Sequence, residues 1–169
     1  MWTTSRVWRV LPATVGLTWF VLLLATPSWR GASSADGWTM RATVAVLVDV
    51  AASRVCHRRP DRSFLVGGQP VPVCGRCTGL YVAGATGLIA AALAGARRPG
   101  RRGIPHVSSL DGRLVWLLAA GLPTVLTWTL EVVGVWNPGT PLRALAALPL
   151  GLTVGWIVGG ALGAPRPAP

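Results

Sequence analysis

The chain has 169 residues, of which 51% are hydrophobic and only 12% are charged, about half the charged share of an average soluble domain. That composition excludes an ordinary water-soluble globule and points to a bilayer as the solvent. The sixteen basic residues are all arginine and stand against five acids, for a formal charge of +11. Clustered arginine can neutralise nucleic-acid phosphates. Here, however, the arginines flank apolar runs, so anionic lipid headgroups are the expected contacts and nucleic acid is not.

A membrane-crossing helix needs ~20 mostly apolar residues. Four runs meet that need: Val10 to about Thr26 behind Arg6 and Arg9, Thr78 to Ala96, Leu114 to Val133, and Leu142 to Gly163. Trp8, Trp29, Trp116 and Trp136 fall at their ends, where an amphipathic ring prefers the interface. An alternative for the first run is a cleaved signal peptide, with Ser33 and Ala35 as small residues at the cleavage site. A fifth apolar stretch, Ala42 to Val55, is too short to span and contains Asp49. It reads as an interfacial or re-entrant helix leading into a cysteine loop. The expected fold is therefore all-α, a polytopic membrane bundle of about four transmembrane helices plus this short one. Its parts are an N-terminal helix and linker over 1–40, a membrane domain over 41–163 with the cysteine loop at 54–78, and a frayed tail over 164–169.

Two spans carry small residues at every fourth position: Gly79, Ala83, Gly87, Ala91 and Gly95 in the second, and Gly151, Gly155, Gly159 and Gly163 in the fourth. Lipid supplies no hydrophobic drive for helix association, so close backbone approach along such stripes takes its place. These two helices are predicted to pack on each other, and a helix-mediated homo-oligomer is open by the same logic. The basic residues of the 97–113 connection are denser than those of the cysteine loop. The positive-inside rule then places the cysteine loop outside the cytoplasm, in a multi-pass protein of a prokaryotic plasma membrane.

All three cysteines and one of the two histidines lie within twenty-two residues, as Cys56-His57 and Cys74-Gly-Arg-Cys77. Two soft sulfurs two residues apart, with a further Cys and His at loop distance, supply the four donors of a tetrahedral Cys3His zinc site. The adjacent Cys56 and His57 would both have to turn inward, which an extended pair resists because its side chains alternate. Read as redox chemistry, Cys74 and Cys77 sit before a helix N-terminus, where a thiol is acidified, with Arg76 between them and Cys56 as the resolving thiol. Arg58, Arg59 and Arg62 beside Ser63, with Arg76 nearby, could receive a phosphate or carboxylate, unless Asp61 and carbonyl groups within the loop satisfy them. Glu131, in the last turn of the third span, is costly at that depth unless paired. Its expected partner is Arg143, one turn into the next helix, and the alternative is a role at the cysteine site. Tyr81 lies four residues after Cys77 on the same helix face, to orient a ligand or anchor the interface. His106 stands alone in the opposite connection.

The pattern Cys56-His57-x-x-Pro60-x-Arg62-Ser63-Phe64, then Gly68-Gln69-x-x-Pro72-Val73-Cys74-x-Arg76-Cys77-Thr78-Gly79-x-Tyr81, resembles the domain of unknown function 2085 family of small prokaryotic membrane proteins. Members of that family usually carry Gln where this chain has Arg58, and an Asp and a Gln in the span that here supplies Thr127 and Glu131. The resemblance implies a membrane domain beginning at the cysteine loop, with the first span as an addition, and it names no reaction. Residue chemistry favours a non-enzymatic protein whose loop folds around one zinc ion on Cys56, His57, Cys74 and Cys77. A thiol-disulfide oxidoreductase comes second. A transporter or lipid-binding subunit, with Glu131 and the arginines as its moving parts, comes third.

Overall fold

The computed structural model describes residues 4–32, 39–97 and 110–162. Ser33, Ala35, His106, most of the 97–113 connection and the tail lie outside the described residues. Among the described residues the fold has five α-helices and one hairpin: α1 (Thr4–Ala32), α2 (Met40–Ser53), a 3-10 turn (Pro60–Arg62), β1 (Ser63–Val66), β2 (Gln69–Cys74), α3 (Gly75–Arg97), α4 (Leu110–Val132) and α5 (Thr140–Leu162). Four stretches, Val10–Arg30, Gly75–Ala94, Gly112–Val132 and Thr140–Leu162, are long and apolar enough to cross a membrane. Their outward residues fit that solvent. Leu118, Leu122, Val125 and Trp128 on α4 and Val15 and Val21 on α1 are exposed, apolar side chains in a number that suits lipid better than water.

The centre of the bundle is the α3/α5 seam, and it runs along the two small-residue stripes. A β-carbon added at Gly79 would lie 2.2 Å from the Ala144 carbonyl oxygen, and one at Gly155 would lie 2.2 Å from that of Gly84. At Gly87 the nearest atom is the Leu152 carbonyl oxygen at 2.5 Å. Backbone meets backbone there, which only glycine permits. α4 packs mainly on α5, tied by the Thr124 hydroxyl donating to the Ala146 carbonyl at 2.8 Å. That is the interhelical polar bond expected where water cannot compete.

α1 packs against α3 and α2, and the Trp19 ring meets Tyr81 edge-on with centroids 6.4 Å apart. α2 has 14 residues and so reaches only about 21 Å, short of the hydrocarbon thickness. The Thr39 hydroxyl caps it by accepting from the Ala42 amide, and Ala42, Ala45, Val48 and Ala52 form its buried face.

The hairpin is a local departure from an all-helical loop. Gly67 and Gly68 have φ of +58° and +78°, the doubly left-handed geometry of a type I′ turn, and Val66 pairs with Gln69 across them. Pro70 and Pro72 give β2 no amide at those positions, as a two-stranded ribbon allows. Val71 and Val73 are buried beneath it, and β2 lies on α1 and α2.

Candidate functional site

The three cysteines come together where the hairpin ends and α3 begins. Cys56 follows α2, Cys74 closes β2, and Cys77 lies in the first turn of α3. Their sulfur atoms all lie within 4.8 Å of one another. The Cys74 amide donates to the Cys56 sulfur at 3.2 Å, which ties the far end of the motif to the CxxC turn. The shell is apolar: Leu23 of α1, Val48 and Ala52 of α2, and Val71 and Val73 of β2 form one buried cluster with Cys56, and Trp19, Phe64 and Tyr81 pack against it. Tyr81 therefore borders the sulfurs and is held by Trp19.

The Cys77 thiol, donating to the Cys74 sulfur, draws the Cys74 pKa down to about 5. Burial opposes this, and the amides of Cys77 and Arg76 at the start of α3, with Cys56, reinforce it. Such donors stabilise a thiolate. A tetrahedral zinc ion with Zn–S of about 2.3 Å needs sulfurs about 3.8 Å apart, so small rotations of these side chains would close the triad on a metal.

His57 does not join them. Cys56 is buried and His57 exposed, and the group of potential ligands found among the described residues contains the three sulfurs without it. The group brought together in this structure is therefore three sulfurs, with Cys56 turned into the core and His57 turned outward. Arg58, next in the chain, has φ of +50°, so the segment turns sharply and sends the Arg58 side chain back toward α2.

The arginines grouped by sequence as anion contacts are held by two internal carboxylates. Asp49 on α2 receives Arg58 Nη2 at 2.8 Å and the forked guanidinium of Arg30, whose Nε donates to Oδ2 at 2.9 Å. Arg30 Nη1 also donates to the Pro70 carbonyl at 2.9 Å. One carboxylate thus joins α1, α2, the Cys56 loop and the hairpin. Ser63 is not available as an anion contact, since its buried hydroxyl donates to the Arg59 carbonyl at 3.0 Å.

Glu131 is the second hub. Oε1 takes Arg62 Nη1 at 2.6 Å and Arg143 Nη2 at 3.1 Å, and Oε2 takes Arg76 Nη2 at 2.8 Å and Arg143 Nε at 3.3 Å. Arg143 Nη2 also donates to Asn137 Oδ1 at 2.6 Å. The expected Glu131–Arg143 pair is present, but as one part of a cluster of three arginines on one acid whose side chain is 8% exposed. α4 ends at Val132, and Gly134, with φ of +78° and an amide bond to the Glu131 carbonyl, closes the turn that follows. This stop sets Glu131 at the membrane face.

Sequence reading missed Arg30 as a partner of Asp49, Asn137, and the Trp19 cover. Arg30 gave a weak signal, as a cation at the end of the first span. Asn137 gave none. Away from these groups, an apolar groove of about 340 Å³ between β1, α3 and α5, lined by Phe64, Gly79, Val82, Ala144 and Leu148 among others, holds no titratable side chain.

An uncharacterised protein of Methanothermobacter thermautotrophicus is 32% identical over 98 residues, which cover 58% of this chain and 78% of that one. An uncharacterised protein of Methanocaldococcus jannaschii is 27% identical over 106 residues, covering 60% of each chain, so this chain spans about three fifths of that relative's length. No solved structure matches. The family model for predicted membrane proteins termed DUF2085 matches residues 56–157, from the first cysteine of the triad through most of α5. α1 and α2, which cover the sulfurs, lie upstream of the matched residues, and with that match over more than half its length the chain belongs to the DUF2085 family of predicted membrane proteins.

Proposed function

We propose that this membrane protein holds one metal ion, zinc, on Cys56, Cys74 and Cys77, at a juxtamembrane centre that fastens the hairpin to the bundle. The single observation that carries this reading is the convergence of three sulfurs, one from the loop after α2 and two from the CxxC turn, to within 4.8 Å of one another. Three thiolates are a soft donor set that selects zinc and other thiophilic ions. His57 is the nearest candidate for a fourth donor, reached by a turn of the exposed residue 57 backbone. Without it the fourth position stays open to water or an exogenous ligand. Higher arginine density in the 97–113 connection supports a reading in which the centre faces the extracytoplasmic side of a prokaryotic plasma membrane.

The test is elemental analysis of protein purified in detergent under reducing conditions without chelator. About one zinc per chain is expected, lost in Cys77→Ser and retained at reduced affinity in His57→Ala. A chain that purifies metal-free, and takes up no zinc on titration, ends the metal reading.

A second reading is favoured by the thiolate character of Cys74 beside the Cys77 thiol. The pair would then form a disulfide, releasing two protons and two electrons to a bilayer quinone that becomes the quinol. Metal-free protein whose Cys74 and Cys77 become linked on addition of a quinone would support it.

A further inference from the structure

We propose that the Glu131 cluster is a binding site for a phosphoryl oxyanion at the membrane face, separate from the metal centre in its ligands and its chemistry. Arg62, Arg76 and Arg143 bring three positive charges to one carboxylate, so the cluster is left with an excess of two. Glu131, the acid that all three share, is already fully used, and Asp61, at 3.6 Å from Arg62 Nε, is shared with Arg59. Each oxygen of Glu131 receives two guanidinium nitrogens, at 2.6 and 3.1 Å on Oε1 and at 2.8 and 3.3 Å on Oε2, and a carboxylate has about four acceptor sites in all. Asn137 accepts one further bond from Arg143. Donors remain: the Nε atoms of Arg62 and Arg76 are both buried and hydrogen-bonded to nothing. Arg62 Nε has Asp61 at 3.6 Å, too far for a hydrogen bond.

Two unused donors on separate guanidiniums, beside a net positive charge, fit a ligand with several oxygens at tetrahedral angles. A phosphoryl group supplies them and the missing negative charge, and the planar guanidinium is the side chain best suited to it. The position agrees. Arg76 lies in the first turn of α3, Glu131 in the last turn of α4 and Arg143 in the first turn of α5, so all three stand at one end of the spans, where lipid headgroups lie. The oxyanion is either such a headgroup or free phosphate.

Full-length protein in neutral detergent tests the proposal in two arms. In the first, inorganic phosphate is titrated against sodium chloride at equal ionic strength while the thermal midpoint is followed. In the second, retention of phosphatidylglycerol is compared with phosphatidylcholine by native mass spectrometry. A midpoint raised by phosphate alone identifies a free anion, and selective retention of phosphatidylglycerol identifies a headgroup. In either case Arg76→Gln and Arg62→Gln are expected to weaken binding about tenfold or more, as loss of a charge-assisted bond does. Arg62 is 31% exposed, so its variant folds even where Arg76→Gln does not, and it decides the question. Failure of wild-type protein to respond in both arms, or glutamine variants that bind like wild type, would overturn the proposal.

Discussion

The α3/α5 seam and the charged end of the bundle hold the same helices together by opposite means. In the seam, side chains have been removed until backbones touch, and Gly79, Gly87 and Gly155 leave no room for a β-carbon. At the charged end, long side chains reach across open distance, and Asp49 and Glu131 each gather arginines from two or more elements. The seam is sensitive to atoms added at Gly79, Gly87 and Gly155, whereas the charged end is sensitive to loss of its two shared carboxylates. The first fixes which helices are neighbours, and the second fixes where the cysteine loop lies on them.

The largest effect is expected in the seam. Gly155→Leu would drive a side chain into the Gly84 carbonyl, 2.2 Å from the position of its β-carbon. Backbone cannot rotate aside as a side chain can, so the helices must separate. The expected cost is about 3 kcal/mol or more, the upper range for overpacking. It would appear in detergent as a loss of the folded, monodisperse species or a steep fall in thermal midpoint. Gly121→Ala is the control, since its β-carbon would meet only the tip of Leu150 at 3.9 Å. An unchanged midpoint in Gly155→Leu would show that the seam does not hold the bundle.

At the charged end, Glu131→Gln should come next. Removing one partner of a poorly exposed ion pair leaves uncompensated charge, at a cost of about 3 kcal/mol. Here three guanidiniums would face a neutral amide. Asp49→Asn should cost less, because Asp49 serves two arginines and its side chain is 18% exposed against 8% for Glu131. The comparison needs thermal midpoints of both variants in one buffer. Equal losses would mean that the number of arginines on the acid does not matter, and that simple loop tethering explains both.

The two regions were also unequally legible in the sequence. A stripe at every fourth residue is a local, periodic signal, and from Gly79 and Gly151 onward it points directly to the α3/α5 contact. The four spans were legible for the same reason. Pairing at the charged end is not periodic. Arg62 and Arg76 could be recognised as anion-seeking, yet nothing local says that the anion is Glu131, or that Arg30 at the end of one span would fork onto Asp49 of α2. Cys56, Cys74 and Cys77 were legible as a group because soft donors are rare. His57 stands exposed beside buried Cys56, and a ligand count does not register which way neighbouring side chains point.

The hairpin gives the smallest effect and the most specific test, because its signal was present and local. Gly67-Gly68 stands between Phe64-Leu65-Val66 and Val71-Pro72-Val73, two extended runs joined by two glycines, which is the pattern of a type I′ turn. Neither glycine has an atom within 4 Å of its would-be β-carbon, so any effect of substitution there is conformational rather than steric crowding. At Gly68, with φ of +78°, alanine should cost about 1 kcal/mol, the ordinary penalty for a left-handed L-residue. Asparagine at Gly67 should cost little or nothing, since Asn-Gly is a favoured I′ pair. Hydrogen exchange of the Val66 and Gln69 amides, which flank the turn, would report both. Faster exchange in Gly68→Ala with wild-type exchange in Gly67→Asn would establish that the ribbon presenting Cys74 is set by its turn. Unaltered exchange in both would mean that packing of Val71 and Val73 on α1 and α2 holds the strand without it.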